Sequence, residues 1–247
     1  MDPIFSCKNR MSTPRRYTYP ALFLLMTFIF IQLPGRSQVV NESTKKKISV
    51  GIGEFTDIWM NMPAGVKTRT INQGFTILGT YNIPFGKSNF SFAIGLELTI
   101  HNMYGNFFVK SYTDSTVFKK IPDTVSYKKS KLKVTYLEIP IEFRFKSKSK
   151  VTVALGFKGG ILIGSGTKYI GDGVLSTYNY TVNQSEKTKI KLAGIKNLEQ
   201  FSYGPTLRIG YSWINVHVSY MLSTIFKQGI KEPEMYPLSL GIVLMPF

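Results

Sequence analysis

The chain has 247 residues, 43% of them hydrophobic and 14% aromatic, with 31 Lys and Arg against 14 Asp and Glu for a formal charge of +17. Its single cysteine, Cys7, excludes an internal disulfide framework and a thiolate metal cluster. After the amino-terminal segment no stretch is apolar for long enough to be a spanning helix, and no internal repeat is visible, which excludes helical membrane proteins and solenoids.

Lys8, Arg10, Arg15 and Arg16 form a positive region ahead of an apolar run over Ala21–Leu33. Pro34-Gly35 ends that run short of the roughly 20 residues a spanning helix needs. Gly35 and Ser37 are small residues at the −3 and −1 positions of a cut before Gln38, so residues 1–37 read as a cleaved secretory signal peptide. Cys7 lies upstream of the apolar run and leaves with it. Residues 38–46 then form a short periplasmic segment, and 47–247 one barrel domain. The chain after residue 37 keeps 26 basic residues against 13 acidic, so it stays strongly positive.

Period-two alternation bounded by turn residues gives eight strands in chain order. They are Lys47–Phe55, Phe75–Ile83, Asn89–His101, Leu132–Lys146, Val151–Gly164, Phe201–Gly210, Ile214–Leu222 and Leu238–Phe247. The third is the clearest. Phe90, Phe92, Ile94, Leu96, Leu98 and Ile100 share one face, while Ser91, Ala93, Gly95, Glu97, Thr99 and His101 share the other. A soluble strand puts Lys, Glu and Arg on its wet face. Here the second face is mostly small, as in a crowded lumen, and the large apolar face is left for lipid. The run also exceeds the roughly 9–11 residues that a tilted strand needs to cross a membrane. The fifth strand repeats the pattern, with Val151, Val153, Leu155, Phe157, Ile161 and Ile163 on one side.

Short connections (Pro84–Ser88, Ser147–Ser149, Tyr211–Trp213) alternate strictly with long ones near 57–74, 102–131, 165–200 and 223–237. Short periplasmic turns and long extracellular loops are the build of an outer-membrane barrel. An even strand number puts both ends of the domain in the periplasm. Phe90, Phe143, Phe145, Tyr211, Trp213 and Phe247 fall at the periplasmic strand ends and Phe75, Phe201 and Tyr203 at the outer ends, as two aromatic girdles. The fold expected is all-β: an eight-stranded antiparallel up-and-down transmembrane barrel. Pro140, Pro205 and Pro246 lie inside these strands, where each forfeits a ladder hydrogen bond, so bulges are expected at all three.

With the large residues facing lipid, the lumen set holds Glu97, Glu138, Glu142, Arg144, Lys158, Arg208 and His217. Charges in a narrow barrel must pair, so a structural network that plugs the lumen is expected in preference to a pore. His101 and His217 lie too far apart to share a metal. His101, near the outer rim, is the one general-base candidate for a lipid-modifying or proteolytic barrel enzyme, and no motif ties an Asp or Ser to it. Lysines crowd the second and third long loops: Lys119, Lys120, Lys128, Lys129 and Lys131 in one, Lys187, Lys189 and Lys191 in the other. They suit the phosphates of lipopolysaccharide or an acidic partner. No cofactor motif and no nucleic-acid recognition module is present.

The run Tyr136-Leu137-Glu138-Ile139-Pro140-Ile141-Glu142-Phe143-Arg144-Phe145-Lys146 resembles the mid-barrel segment of PorT-like outer-membrane β-barrels of Bacteroidetes. Leu155-Gly156-Phe157-Lys158-Gly159-Gly160 and the terminal Phe247 are similar to that family too. The resemblance implies an outer-membrane barrel over about residues 45–247, an association with type IX secretion through the founding member, and no catalytic residues. The expected role is therefore a scaffold or adaptor that binds envelope or secretion-system proteins through its loops. A barrel-embedded enzyme and a narrow channel are the alternatives.

Overall fold

The computed structural model describes residues 47–111, 116–172, 187–227 and 234–245. The signal peptide and short periplasmic segment expected over residues 1–46, together with Pro246 and Phe247, lie outside the described residues.

Among the described residues there are eleven strands: β1 (Ile48–Met60), β2 (Gln73–Pro84), β3 (Phe90–Tyr104), β4 (Phe107–Ser111), β5 (Thr116–Lys120), β6 (Tyr127–Lys146), β7 (Val151–Asp172), β8 (Lys187–Ala193), β9 (Phe201–Tyr211), β10 (Ile214–Tyr220) and β11 (Tyr236–Leu244). Eight of them close a barrel in the order β1, β2, β3, β6, β7, β9, β10, β11, every pair antiparallel, with β11 returning to β1. These are the eight strands expected from the alternation. Closure of these eight strands pairs each of them on both sides, which is what lets a sheet sit in hydrocarbon. The three tight turns each use one residue in the left-handed backbone region, namely Gly86, Lys150 and Ser212.

Three extra strands were expected to be loop. β4 and β5 form a separate hairpin. β8 pairs with the outer half of β7, beyond the point where β9 begins, so the wall continues past the span on that side. β1 also runs on to Met60, which turns Asp57 from a loop residue into a buried wall residue.

The bulges expected at Pro140 and Pro205 are absent. Pro140 faces Lys158 in register on β7, and the ladder to β3 lapses only between Ile94↔Ile141 and Glu97↔Glu138, then resumes unshifted. The missing N–H of Pro140 falls in that lapse. Pro205 pairs with Phe157 on β7 and lies one residue past the last β9–β10 pair, Thr206↔Ser219, so its lost donor breaks no further rung. The observed register shifts sit elsewhere, at Tyr127/Lys129 and Thr135/Tyr136.

Outward residues form an apolar belt: Ile48, Val50 and Ile52 on β1, Ile94 and Leu96 on β3, Leu137, Ile139, Ile141 and Phe143 on β6, and Leu155, Phe157, Ile161 and Ile163 on β7 are all exposed on the protein surface. Glu54 interrupts the belt on β1. Rings gather at the periplasmic end, where Phe90 stacks on Phe143 with centroids 5.4 Å apart. Inside, the barrel has two zones. Buried Trp59, Met103, Phe107, Leu132, Tyr136, Ile225, Phe226 and Met235 make an apolar cluster formed by the outer strand ends and the segments joining them. Below it the lumen is polar and charged.

Candidate functional site

The lumen charges are placed by alternation: each is the inward neighbour of a lipid-facing residue on β3, β6, β7, β9 or β10. All seven residues expected there (Glu97, Glu138, Glu142, Arg144, Lys158, Arg208 and His217) are buried. They form two groups. In the first, the Glu142 carboxylate holds both guanidiniums: Arg144 donates from Nε at 2.7 Å and pairs through Nη2 at 2.6 Å, and Arg208 donates from Nη2 to both carboxylate oxygens. Arg144 also donates to Thr80 Oγ1 at 3.0 Å and to Asn82 Oδ1.

In the second group Glu97 and Glu138 lie directly opposite on β3 and β6. Two like charges in that relation repel. Lys158 on β7 answers both, with Nζ 2.8 Å from Glu138 and 3.5 Å from Glu97. Thr99 and Ser202 donate to Glu138 at 2.6 and 3.0 Å, and Thr76 donates to Glu97 at 2.8 Å. Gly160 makes room for this group, because a Cβ there would collide with the Glu138 side chain and the Leu137 carbonyl. His217 is buried beside Arg208 in the ladder, and its Nδ1 has no hydrogen-bond partner.

A third group was hidden from sequence reasoning. His101 is only 2% exposed, so it lies inside the barrel and not at a solvated rim. Its Nδ1 sits 3.0 Å from Oδ2 and 3.1 Å from Oδ1 of Asp57, and Ser239 donates to Asp57 Oδ1 at 2.6 Å. The Phe55 and Tyr136 rings pack on the imidazole. A hydrolase needs its nucleophile on Nε2, the ring nitrogen away from the carboxylate. Here the serine contacts the carboxylate, and Nε2 has no hydrogen-bond partner. The cavity lined by His101, Glu138, Lys158 and Ser239 measures about 10 Å³, room for one water at most. Among the described residues no cluster of three or more His, Cys, Asp or Glu could hold a metal.

The lysines divide. Lys120 pairs with Asp123 at 2.8 Å, and Lys119 is its neighbour on β5, both apart from the barrel wall. On the wall, Tyr104, Lys131, Lys168 and Lys191 stand in one cross-strand row over β3, β6, β7 and β8, with Lys129 and Lys189 flanking Ile170 in the next. Lys187 opens β8 opposite Asp172. The inner face of this extension is packed by Ile121, Val125, Tyr169, Phe108, Tyr127 and Ile190, which leaves the lysines on the outer face. Arg69, Lys129 and Lys131 lie 5.7, 5.2 and 5.5 Å from the centre of the Tyr104 ring. Arg69, Tyr104, Lys128, Lys129 and Ile170 border a surface hollow of about 200 Å³.

Comparison with known proteins adds the following. A family model described as "Outer membrane protein beta-barrel domain" matches residues 44–227. No curated protein matches the chain. Similar solved structures include the attachment invasion locus protein Ail of Yersinia pestis, 12% identical over 81% of this chain and 97% of that one, with a TM-score of 0.38. The same protein in a phospholipid bilayer nanodisc is 15% identical over 81% and 98%, with a TM-score of 0.31. A mutant porin of Rh. blastica is 12% identical over 80% and 99%, with a TM-score of 0.20. Superpositions this loose carry nothing about ligand or activity.

Proposed function

Because the chain belongs to the family of outer membrane protein β-barrel domains, we propose that it is a sealed binding or scaffold protein of the cell envelope, neither an enzyme nor a channel. The observation that carries this reading is the filled lumen. Eight strands enclose a space that side chains can occupy, and here the ion network occupies the lower part while the apolar cluster closes the outer end. What remains for function is the two exposed ends. The extracellular end carries the extended wall and the β4–β5 hairpin, and the periplasmic end three tight turns. Export through residues 1–37, a PorT-like assignment and service to a secretion system belong to the same proposal. They rest on the amino-terminal pattern and on the segment around Glu138.

Photo-crosslinking in cells tests it. A crosslinker at Lys227, exposed at the outer end, or at Lys148, exposed in the turn between β6 and β7, is expected to give a discrete protein adduct in the outer-membrane fraction from at least one position. Recovery of the protein in the soluble periplasm, or no protein adduct from either end, contradicts the scaffold reading.

A further inference from the structure

The row of lysines across β6, β7 and β8 is costly. Like charges directly opposite in a ladder destabilise it, yet Lys131, Lys168 and Lys191 stand in register on three consecutive strands. Among the described residues no carboxylate lies within ion-pair distance of them, or of Lys129 and Lys189. Only Asn102 answers Lys131, through Oδ1 at 2.6 Å. Arg69 and two of these lysines crowd one tyrosine ring at the edge of a hollow. A sheet that assembles five lysines in two adjacent rows without counter-charge among the described residues is built for an anion that arrives from outside.

Position identifies the anion. Up the outer side of β6 the residues run Phe143, Ile141, Ile139, Leu137, then Lys133, Lys131 and Lys129. Lys133 and Lys131 stand four and six positions beyond Leu137, which at roughly 3.3 Å per residue and a tilt of about 40° is a rise on the order of 10–15 Å. That puts them just outside the hydrocarbon, where their long side chains reach the headgroup layer. The lysines face sideways, continuous with the lipid belt, toward the neighbouring leaflet. On the reading of this chain as an outer-membrane binding protein, we infer that this outer face, Lys129, Lys131, Lys168, Lys189 and Lys191 with Arg69 and Tyr104, binds the phosphate groups of an outer-leaflet lipid such as the lipid A of lipopolysaccharide. The ammonium groups supply charge-assisted hydrogen bonds to the phosphate oxygens, and the 200 Å³ hollow takes the phosphorylated headgroup while its chains lie on Leu137 and Ile163.

Full-length protein reconstituted in phosphatidylcholine vesicles doped with bisphosphorylated lipid A, then extracted in mild detergent, allows retained lipid A to be counted by native mass spectrometry. Wild type is expected to retain lipid A at least about tenfold better than its dephosphorylated form. Lys131→Gln/Lys168→Gln should lose that preference. Lys119→Gln/Lys120→Gln, which removes the same charge from the separate hairpin, should keep it. Removing two opposed lysines relieves repulsion, so the first variant is expected to fold, and its gel mobility before and after boiling checks this. Equal retention by wild type and the Lys131/Lys168 variant, or no preference for the phosphorylated form, overturns the site. Binding of soluble polyphosphate without retention of lipid A overturns it in favour of a soluble polyanion. None of these outcomes depends on whether the lumen conducts or on which protein is crosslinked, so failure here is distinct from failure of the scaffold reading.

Discussion

Lys158→Met is expected to lower the unfolding free energy of the barrel by about 3–5 kcal/mol, the range for breaking a buried ion pair from one side. Methionine fills nearly the same volume, so the loss is one of charge. Without the ammonium, Glu97 and Glu138 face each other across adjacent strands with only Thr76, Thr99 and Ser202 as hydroxyl donors. Glu138→Gln should cost less, because Glu97 already lies 3.5 Å from Lys158 and keeps that charge paired. Lys158→Met/Glu138→Gln, which removes one of the opposed carboxylates, should recover part of the deficit. Urea titration in lipid vesicles, read by the heat-dependent gel shift, measures all three. A loss below about 1 kcal/mol for Lys158→Met would mean that the group is hydrated as a surface pair is, and the sealed lumen would be wrong.

Leu96→Arg is expected to block assembly. Leu96 is 58% exposed on the protein surface, outward on β3 opposite Gly79. In a bilayer that exposure is contact with lipid, where an arginine costs about 2–4 kcal/mol near the midplane. Leu96→Ala should still assemble, because it keeps the surface apolar. The sign of the arginine result separates two worlds. On a water-soluble barrel the same substitution would replace an exposed leucine with a solvated charge and be neutral or favourable. Folding yield into vesicles, scored by gel mobility, decides it: near-complete loss for arginine with survival of alanine is the expected result, and equal yields would contradict lipid contact at this face.

The barrel was legible because its clearest strands never break period. From Phe90 to His101 on β3, and on the lower half of β7 except at Gly159, large residues face outward and small or charged residues inward, so both the strand and the inward set are legible together. Where polarity inverts, the reading failed. On β1 Glu54 faces out while Phe55 and Trp59 face in, the reverse of the rule that holds elsewhere, so the alternation marks a strand only as far as Phe55 and leaves Asp57 in the connection. With it went the partner of His101, which lies 44 residues away in sequence and which no local spacing could supply.

The lysines stand out in the sequence as anion contacts, but their place on a strand wall does not, for a related reason. Lys129-Ser130-Lys131-Leu132-Lys133-Val134 alternates as strictly as β3 does, but its outward residues are charged, and a polar run between strands has the composition of a loop. The alternation was a strand signal, and its outward charge marked wall above the hydrocarbon. The prolines erred in the opposite direction. A lost N–H need not force a bulge: Pro140 sits in a lapse of one ladder and Pro205 just past the end of another. Only the pairing of neighbouring strands shows which backbone donors are dispensable.

Single-channel recording of the purified wild-type protein in planar bilayers tests the sealed lumen most directly. With Lys158, Arg144 and Arg208 each paired to carboxylates and the outer end closed by the apolar cluster around Tyr136 and Phe226, no steady stepwise current is expected at any moderate voltage. Large, stable conductance steps from wild type would show a continuous water path through the barrel and would put a channel in place of the scaffold.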